Sequence, residues 1–315
     1  MISVVIPNYN SGHQLAKNLP KLLDLLKKSK LDFEIIVSDD GSTDDSIAAI
    51  TKTHDREFLF RCKILTSEKN TGFGSCCDRG IKEAQGEIIF ILNATDALPQ
   101  SADYFSLMFK HFEDPLVFSV GAAKTDETGI HGCGEIYFEK GFYLHRKKTV
   151  DNRRSKVGLE DGKLKIEKIN PQFSNFKKLS STNDHLLSSQ YTDWADGGSQ
   201  AIRKSYYEKI GGFDPHYYLY WEDVDLGFRA WKAGYKIIYE PRAVLLHAKH
   251  EGPIAQRFTV SEIRNLNVRN QVYFTWKNSN LWHKLQFLFW LPYHVAVAVK
   301  NGNQGWIKAL NSQNF

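Results

Sequence analysis

The chain has 315 residues, 42% apolar and 24% charged, a composition that excludes disordered and fibrous classes and suffices for one large α/β domain or two smaller ones. Its net charge of +5 is unevenly placed: residues 1–144 carry 15 basic and 21 acidic side chains, residues 145–156 carry 6 and 1, residues 157–250 carry 13 and 12, and residues 251–315 carry 7 and 2. The acidic N-terminal half, without a basic-aromatic module, argues against a nucleic-acid partner. The four cysteines, Cys62, Cys76, Cys77 and Cys133, lack CxxC spacing, which argues against a zinc site or disulfide framework and for reduced thiols in a cytosolic protein.

In chain order, ISVVI at 2–6 reads as a buried strand ended by Pro7, and 15–28 has apolar residues at helical spacing. FEIIV at 33–37 is a second strand, running into SDDGSTDDS, whose Ser and Asp residues suit a helix cap. A short strand at 63–66, a helix at 74–85 ended by Gly86, and the strand IIFIL at 88–92 follow. Met1 runs directly into the first strand, so no leader peptide is expected. Alternating strands and helices imply crossover connections and a mostly parallel central sheet with helices on both faces. The polar clusters Pro7–Asn10, Asp39–Ser42 and Asn93–Asp96 each follow a strand, and ligands of such sheets bind at the carboxyl ends of strands.

Beyond residue 100 the order changes. Helix is expected at 101–112, extended chain at 116–122 and 130–144, a long loop or lid at 145–195, helix at 199–209 and 221–233, and extended chain at 236–246. Residues 258–300 read as helix, broken near Lys277–Asn280 and again at Pro292.

Neither GxGxxG nor GxxxxGK[ST] follows the first strand, which weighs against a dinucleotide-binding oxidoreductase and a P-loop phosphotransferase. Other groups suit a nucleotide: Tyr9 offers a ring for a base to stack on, and Asp40 a carboxylate for the imide N–H of uracil or thymine. A capped turn accounts for DDGSTDDS equally well. In WEDVDLGFR at 221–229, helical spacing puts Glu222, Asp225 and Arg229 on one face and leaves Asp223 free to face a cleft. Apolar neighbours raise a carboxylate's pKa and suit it to proton abstraction, whereas a solvated helix with an internal ion pair is the plainer reading. His247 ends the strand-like AVLLH; such a histidine is either structural or a metal ligand.

The segments VVIPNYN (4–10), EIIVSDDGSTDDS (34–46), NTGFGSCCDRGI (70–81), GEIIFILNATD (86–96), GGSQAIRKSYYEKIGGFDP (197–215) and YWEDVDLGFRAWKAGYKIIYEPRAVLLH (220–247), in this order, resemble the family-2 glycosyltransferases with the GT-A fold, in particular the rhamnosyltransferase-like members that build bacterial surface polysaccharide. The resemblance implies a nucleotide-sugar half over 1–100, an acceptor half over 101–250 and a C-terminal helical extension over 251–315. It implies an inverting glycosyltransferase taking a UDP- or dTDP-sugar to a hydroxyl of a growing glycan or lipid-linked glycan. By the same likeness Pro7, Tyr9, Asp40, Asn70, Gly72, Asn93 and Thr95 would bind the donor, and Asp223 would be the general base beside Glu222. Gly197, Gly198, Trp221 and Asp225 would bind the acceptor, and Asp96 and His247 would hold Mn²⁺ or Mg²⁺.

The chain departs from the family where an Asp-x-Asp motif belongs: Asn93 and Thr95 take the two Asp positions, leaving Asp96 charged. A divalent cation prefers anionic oxygen ligands. Three readings follow: Asp96 and His247 suffice, basic residues from 145–156 stabilise the departing diphosphate instead, or the chain is a non-catalytic nucleotide- or glycan-binding subunit. Asp78 is a second departure, standing where the family usually has Asn. In the tail, 281–299 carries Trp282, Phe287, Phe289, Trp290 and Tyr293. This pattern suits a helix lying in a membrane interface, making the protein peripheral on the inner face of the cell membrane, or a helix packed on the domain or a second subunit.

Overall fold

The computed structural model describes residues 1–52, 56–95, 97–126, 129–150, 156–160, 163–167, 189–247 and 257–300. The first half alternates β1 (Ile2–Asn8), α1 (Gly12–Lys28), β2 (Phe33–Asp39), α2 (Ser46–Lys52), α3 (Arg56–Arg61), β3 (Cys62–Thr66), α4 (Phe73–Glu83) and β4 (Ile88–Leu92). β1 pairs in parallel with β2 and β4, and β2 with β3. The short β5 (Ala97–Pro99) and α5 (Asp103–Phe109) lead into β6 (Val117–Asp126), β7 (Gly129–Glu139) and β8 (Phe142–Val150). After a two-stranded hairpin of β9 (Lys156–Glu160) and β10 (Lys163–Glu167) come β11 (Gln190–Tyr191), β12 (Ser199–Arg203), α6 (Lys204–Lys209), α7 (Glu222–Lys232), β13 (Lys236–His247), α8 (Val260–Asn278) and α9 (Leu281–Lys300).

Among the described residues eleven strands form one sheet, ordered β11-β13-β6-β12-β4-β1-β2-β3, with β5 on β13, β7 on β6 and β8 on β7. The sheet is parallel through its N-terminal half and mixed beyond it, because β12 runs antiparallel between β4 and β6. Strand side chains alternate between faces, so the strands are apolar on both. Val4, Ile6, Ile35, Val37, Phe90 and Leu92 meet Leu15, Leu19, Leu22 and Leu26 of α1 on one face. Val5, Ile36, Ile89 and Ile91 meet Cys77 and Ile81 of α4 and Leu226 and Ala230 of α7 on the other. This double burial fixes the register and brings the carboxyl ends of β1, β2 and β4 to one edge.

Four expectations are corrected, the last only in its second half, since the break near Lys277–Asn280 is present and the one at Pro292 is not. Residues 199–209 are not one helix. Ser199–Arg203 is a central strand, because pairing on both sides outweighs its local pattern. Strand β1 continues through Pro7, pairing with Ser38. Part of the expected 145–195 loop is regular: β8 runs to Val150 and β9–β10 form a hairpin. The helix break falls at Ser279–Asn280, and α9 continues through Pro292.

Candidate active site

The loops after β1 and β2 are tied together by their own polar side chains. Asn8 Nδ2 donates to Asp39 Oδ2 at 2.7 Å, and Ser42 donates to both Asp39 oxygens. Asp40 is buried, and its carboxylate accepts from Thr71 N (2.9 Å), Thr71 Oγ1 (2.7 Å), Gly72 N (2.9 Å) and Arg79 Nη2 (3.1 Å). These bonds fix the 70–72 segment over the sheet edge. Gly72 has φ +94° there, and a Cβ would lie 2.3 Å from the Tyr218 carbonyl oxygen, so only glycine fits.

These loops line an open cleft at the carboxyl ends of β1, β2 and β4, where ligands of such sheets bind. All seven residues expected at the donor, Pro7, Tyr9, Asp40, Asn70, Gly72, Asn93 and Thr95, line it. Among the lining residues that sequence reasoning missed are Tyr218, Arg257 and Phe258. The Arg257 guanidinium lies 4.9 Å from the Tyr9 ring centroid and 5.3 Å from that of Phe258, and Tyr218 donates its hydroxyl to Asn70 Oδ1 at 2.6 Å. The tyrosine-rich YYLYW run at 217–221 is the signal that could have pointed at Tyr218. Arg257 sits outside any periodic pattern.

Beside the cleft stands a cluster of acids at the start of α7. Tyr220 and Trp221 both have φ near +70°, a conformation costly for non-glycine residues and typical of functional sites. The side chain of the fully buried Asn270 in α8 holds this turn, donating to the carbonyls of Leu219 and Tyr220, each at 2.8 Å. Asp223 is half-buried, with Oδ1 accepting from Val224 N (2.8 Å) and Oδ2 from Gly197 N (3.1 Å). Desolvation and the neighbouring Asp196 carboxylate push its pKa up to about 6, against the pull of the Lys147 ammonium and its two backbone hydrogen bonds. Asp196 is itself buried and paired with Lys124 and Lys147. Although burial opposes ionisation, the two ammonium groups hold its carboxyl well below the usual range. Glu222 is buried with Oε2 lacking a hydrogen-bond partner, and desolvation, reinforced by Asp223, raises its pKa well above the ordinary value.

The glycine pair joins the two halves. A Cβ on Gly197 would lie 3.0 Å from the Phe73 ring and 3.5 Å from Asp223 Cβ. Gly198 accepts from Asn93 N at 2.9 Å, and a Cβ there would lie 3.0 Å from Asn93 Cβ and 3.8 Å from Lys124 Nζ. A thin backbone strip thus separates the cleft end from Asp223.

Two of the residues expected at the acceptor are buried. Asp225 is fully buried, and its oxygens are taken by Arg229 (2.7 Å), Lys277 (2.9 and 3.0 Å) and Asn278 (3.2 Å). It therefore anchors α7 to α8. Trp221 is also buried, its ring packed against His145 and Phe274.

For a divalent cation, the described donors are a poor match. Asn93 Oδ1 accepts from the Thr95 hydroxyl at 2.9 Å, both groups are neutral, and the Lys124 ammonium is close by. Among the described residues no group of three or more His, Cys, Asp or Glu could hold a metal. Asp96 and the His247 side chain lie outside the described residues, although the backbone register sets His247 opposite Ala97. The basic segment reaches the site through Lys147, which is spent on Asp196, whereas Arg146 pairs with Glu135.

The family model for glycosyl transferase family 2 matches residues 3–162. The chain belongs to glycosyl transferase family 2. It is 46% identical over 56 residues to an N-acetylglucosaminyl-diphospho-decaprenol L-rhamnosyltransferase of Mycobacterium tuberculosis, covering 18% of each chain. It is 23% identical over 254 residues to the O-antigen chain rhamnosyltransferase RfbN of Salmonella typhimurium, covering 80% of this chain and 68% of that one. The matched segment thus spans under a fifth of the mycobacterial relative's length. In structure the chain is similar to the mannosyltransferase PcManGT of Pyrobaculum calidifontis in complex with GDP-Man and Mn²⁺, with TM-score 0.58 and 16% identity over 99% of this chain and 81% of that one. The shared architecture is the GT-A fold.

Proposed function

We propose that the protein is an inverting glycosyltransferase that moves a sugar from a UDP- or dTDP-sugar to a hydroxyl of a growing glycan or lipid-linked glycan. The observation that carries this reading is the half-buried Asp223 carboxylate, which accepts from Gly197 N in the glycine pair that also abuts Phe73 and Asn93 of the cleft. Its raised pKa suits proton abstraction near neutral pH. The base of the nucleotide stacks on Tyr9. All four hydrogen bonds to Asp40 come from the protein, so an imide N–H shares one of its oxygens.

In the reaction, Asp223 takes the proton of the acceptor hydroxyl as its oxygen attacks the anomeric carbon from the face opposite the leaving group. The bond from that carbon to the diphosphate oxygen breaks, its electron pair leaves with the nucleoside diphosphate, and the anomeric configuration inverts. The Arg257 guanidinium lines the cleft and stabilises negative charge there. Glu222, held neutral, leaves Asp223 as the charged member of the pair. By the family likeness, a divalent cation would rest on Asp96 and His247 and would supply positive charge to the departing diphosphate; no step above passes through it.

The neutral Asn93–Thr95 pair favours a second reading, a nucleotide- or glycan-binding subunit without turnover. One experiment separates the two. A thermal-shift screen of nucleotide sugars, with and without Mn²⁺, is followed by assay of released nucleoside diphosphate. A specific donor at 100 times its Kd stabilises by about 2.7 kcal/mol. Stabilisation with release supports transfer, stabilisation without release on any glycan acceptor supports a nucleotide-binding subunit, and no stabilisation by any nucleotide sugar refutes both transfer and nucleotide binding.

A further inference from the structure

Helix α9 is amphipathic in the inverted sense. Its exposed positions are Leu281, Trp282, Leu285, Leu288, Phe289, Pro292, Tyr293, Ala296, Val297, Val299 and Lys300. All but the last are apolar or aromatic. Trp282 is 66% and Phe289 77% exposed. These positions recur at intervals of three and four and so form one stripe, about 30 Å long for a helix of this length. Polar residues of the helix turn toward the protein instead. The His283 ring stacks on Phe138 with centroids 4.0 Å apart and meets the Tyr143 hydroxyl at 3.1 Å. Lys284 Nζ lies 4.7 Å from the Trp276 ring centroid, and His294 Nε2 donates to the Lys140 carbonyl at 3.0 Å. Phe287 is buried against Phe142, and a Cβ on Gly141 would lie 2.7 Å from the Gln286 carbonyl oxygen. The helix is therefore wedged on the β7–β8 turn and cannot roll to bury its apolar face.

Charge selects the occupant. The helix has no acidic residue, and the one charge on its exposed face is the Lys300 ammonium. A second copy presenting the same face would offer no carboxylate to answer that ammonium, whereas an anionic surface is complementary to it. Tryptophan and tyrosine along an apolar stripe with flanking lysines match the boundary between lipid headgroups and acyl chains. No helix among the described residues is long and apolar enough to cross a membrane.

We propose that the outward face of α9 docks in the plane of an anionic lipid membrane. The proposal stands apart from the catalytic reading, since its test uses neither nucleotide nor acceptor.

The test is flotation of the full chain with vesicles of phosphatidylcholine alone or with phosphatidylglycerol added, at low and high salt. The protein should float with the phosphatidylglycerol vesicles, less so at high salt and weakly with phosphatidylcholine. Leu285→Glu/Phe289→Glu should weaken vesicle binding at least tenfold with the melting temperature unchanged, since both side chains are exposed. Trp282→Ser is a milder second variant and should weaken binding severalfold. Asp223→Asn should float as the parent does. The proposal is overturned if the double variant floats like the parent. It is also overturned if the parent floats with neither vesicle, whether as a monomer or as a dimer in sedimentation that Phe289→Glu splits.

Discussion

The relocation of Asp225 from ligand contact to scaffold can be tested by Asp225→Asn. The wild-type carboxylate is inaccessible to solvent and binds Arg229, Lys277 and Asn278 at 2.7 to 3.2 Å. The amide keeps the shape and removes the charge that those two cations answer. Breaking a buried ion pair on one side costs about 3–5 kcal/mol. The lower end applies, because Lys277 retains Asp214 at 2.7 Å and Arg229 retains the Ile210 and Gly212 carbonyls. At about 2 °C per kcal/mol for a chain of this size, about 3 kcal/mol lowers the melting temperature by about 6 °C. Thermal unfolding of the two proteins measures this, and acceptor KM of the folded variant measures any ligand contact. An unchanged melting temperature with a raised acceptor KM would refute the scaffold assignment.

Other expectations follow from the same geometry. Asp223 acts only when ionised, so kcat should fall with unit slope below about pH 6, and Lys147→Met should move that limb upward by removing a cation that favours the carboxylate; a pH–rate profile reads both, and an unmoved limb counts against the pairing. Glu222 has a raised pKa in the folded protein, so folding favours its protonated form and stability is lost as pH rises through that value. Glu222→Gln should raise the melting temperature at alkaline pH and leave it unchanged near about pH 4. Arg257→Ala should weaken binding of a nucleoside diphosphate at least about tenfold, in line with a lost charged hydrogen bond or cation–π contact, with a much smaller effect on the nucleoside in calorimetry. Gly72→Ala should reduce nucleotide affinity and stability together, because its Cβ meets the Tyr218 carbonyl.

The lining of the cleft was legible because its information is local. Each polar cluster directly follows an apolar strand, and parallel pairing alone brings Tyr9, Asp40 and Asn93 to one edge. That Asp223 is less buried than Glu222 and Asp225 was legible through helical spacing. The misread parts depend on distant chain. Ser199–Arg203 becomes a strand only because β4 and β6 flank it. Asp225 has the same local pattern as a ligand-facing acid, and Lys277 and Asn278, some fifty residues on, decide its role. Tyr218 and Arg257 reach the cleft through tertiary packing that no period in the sequence encodes. In α9 the apolar periodicity was visible, but only the wedge against Gly141 shows which way it faces.

The central claim, that Asp223 is the base of a sugar transfer, is tested most directly by single-turnover transfer with Asp223→Asn, alongside nucleotide affinity on the same protein. The account predicts unchanged affinity and transfer slowed at least about 100-fold, the range for lost general-base catalysis. Transfer at the parent rate with intact binding would contradict it.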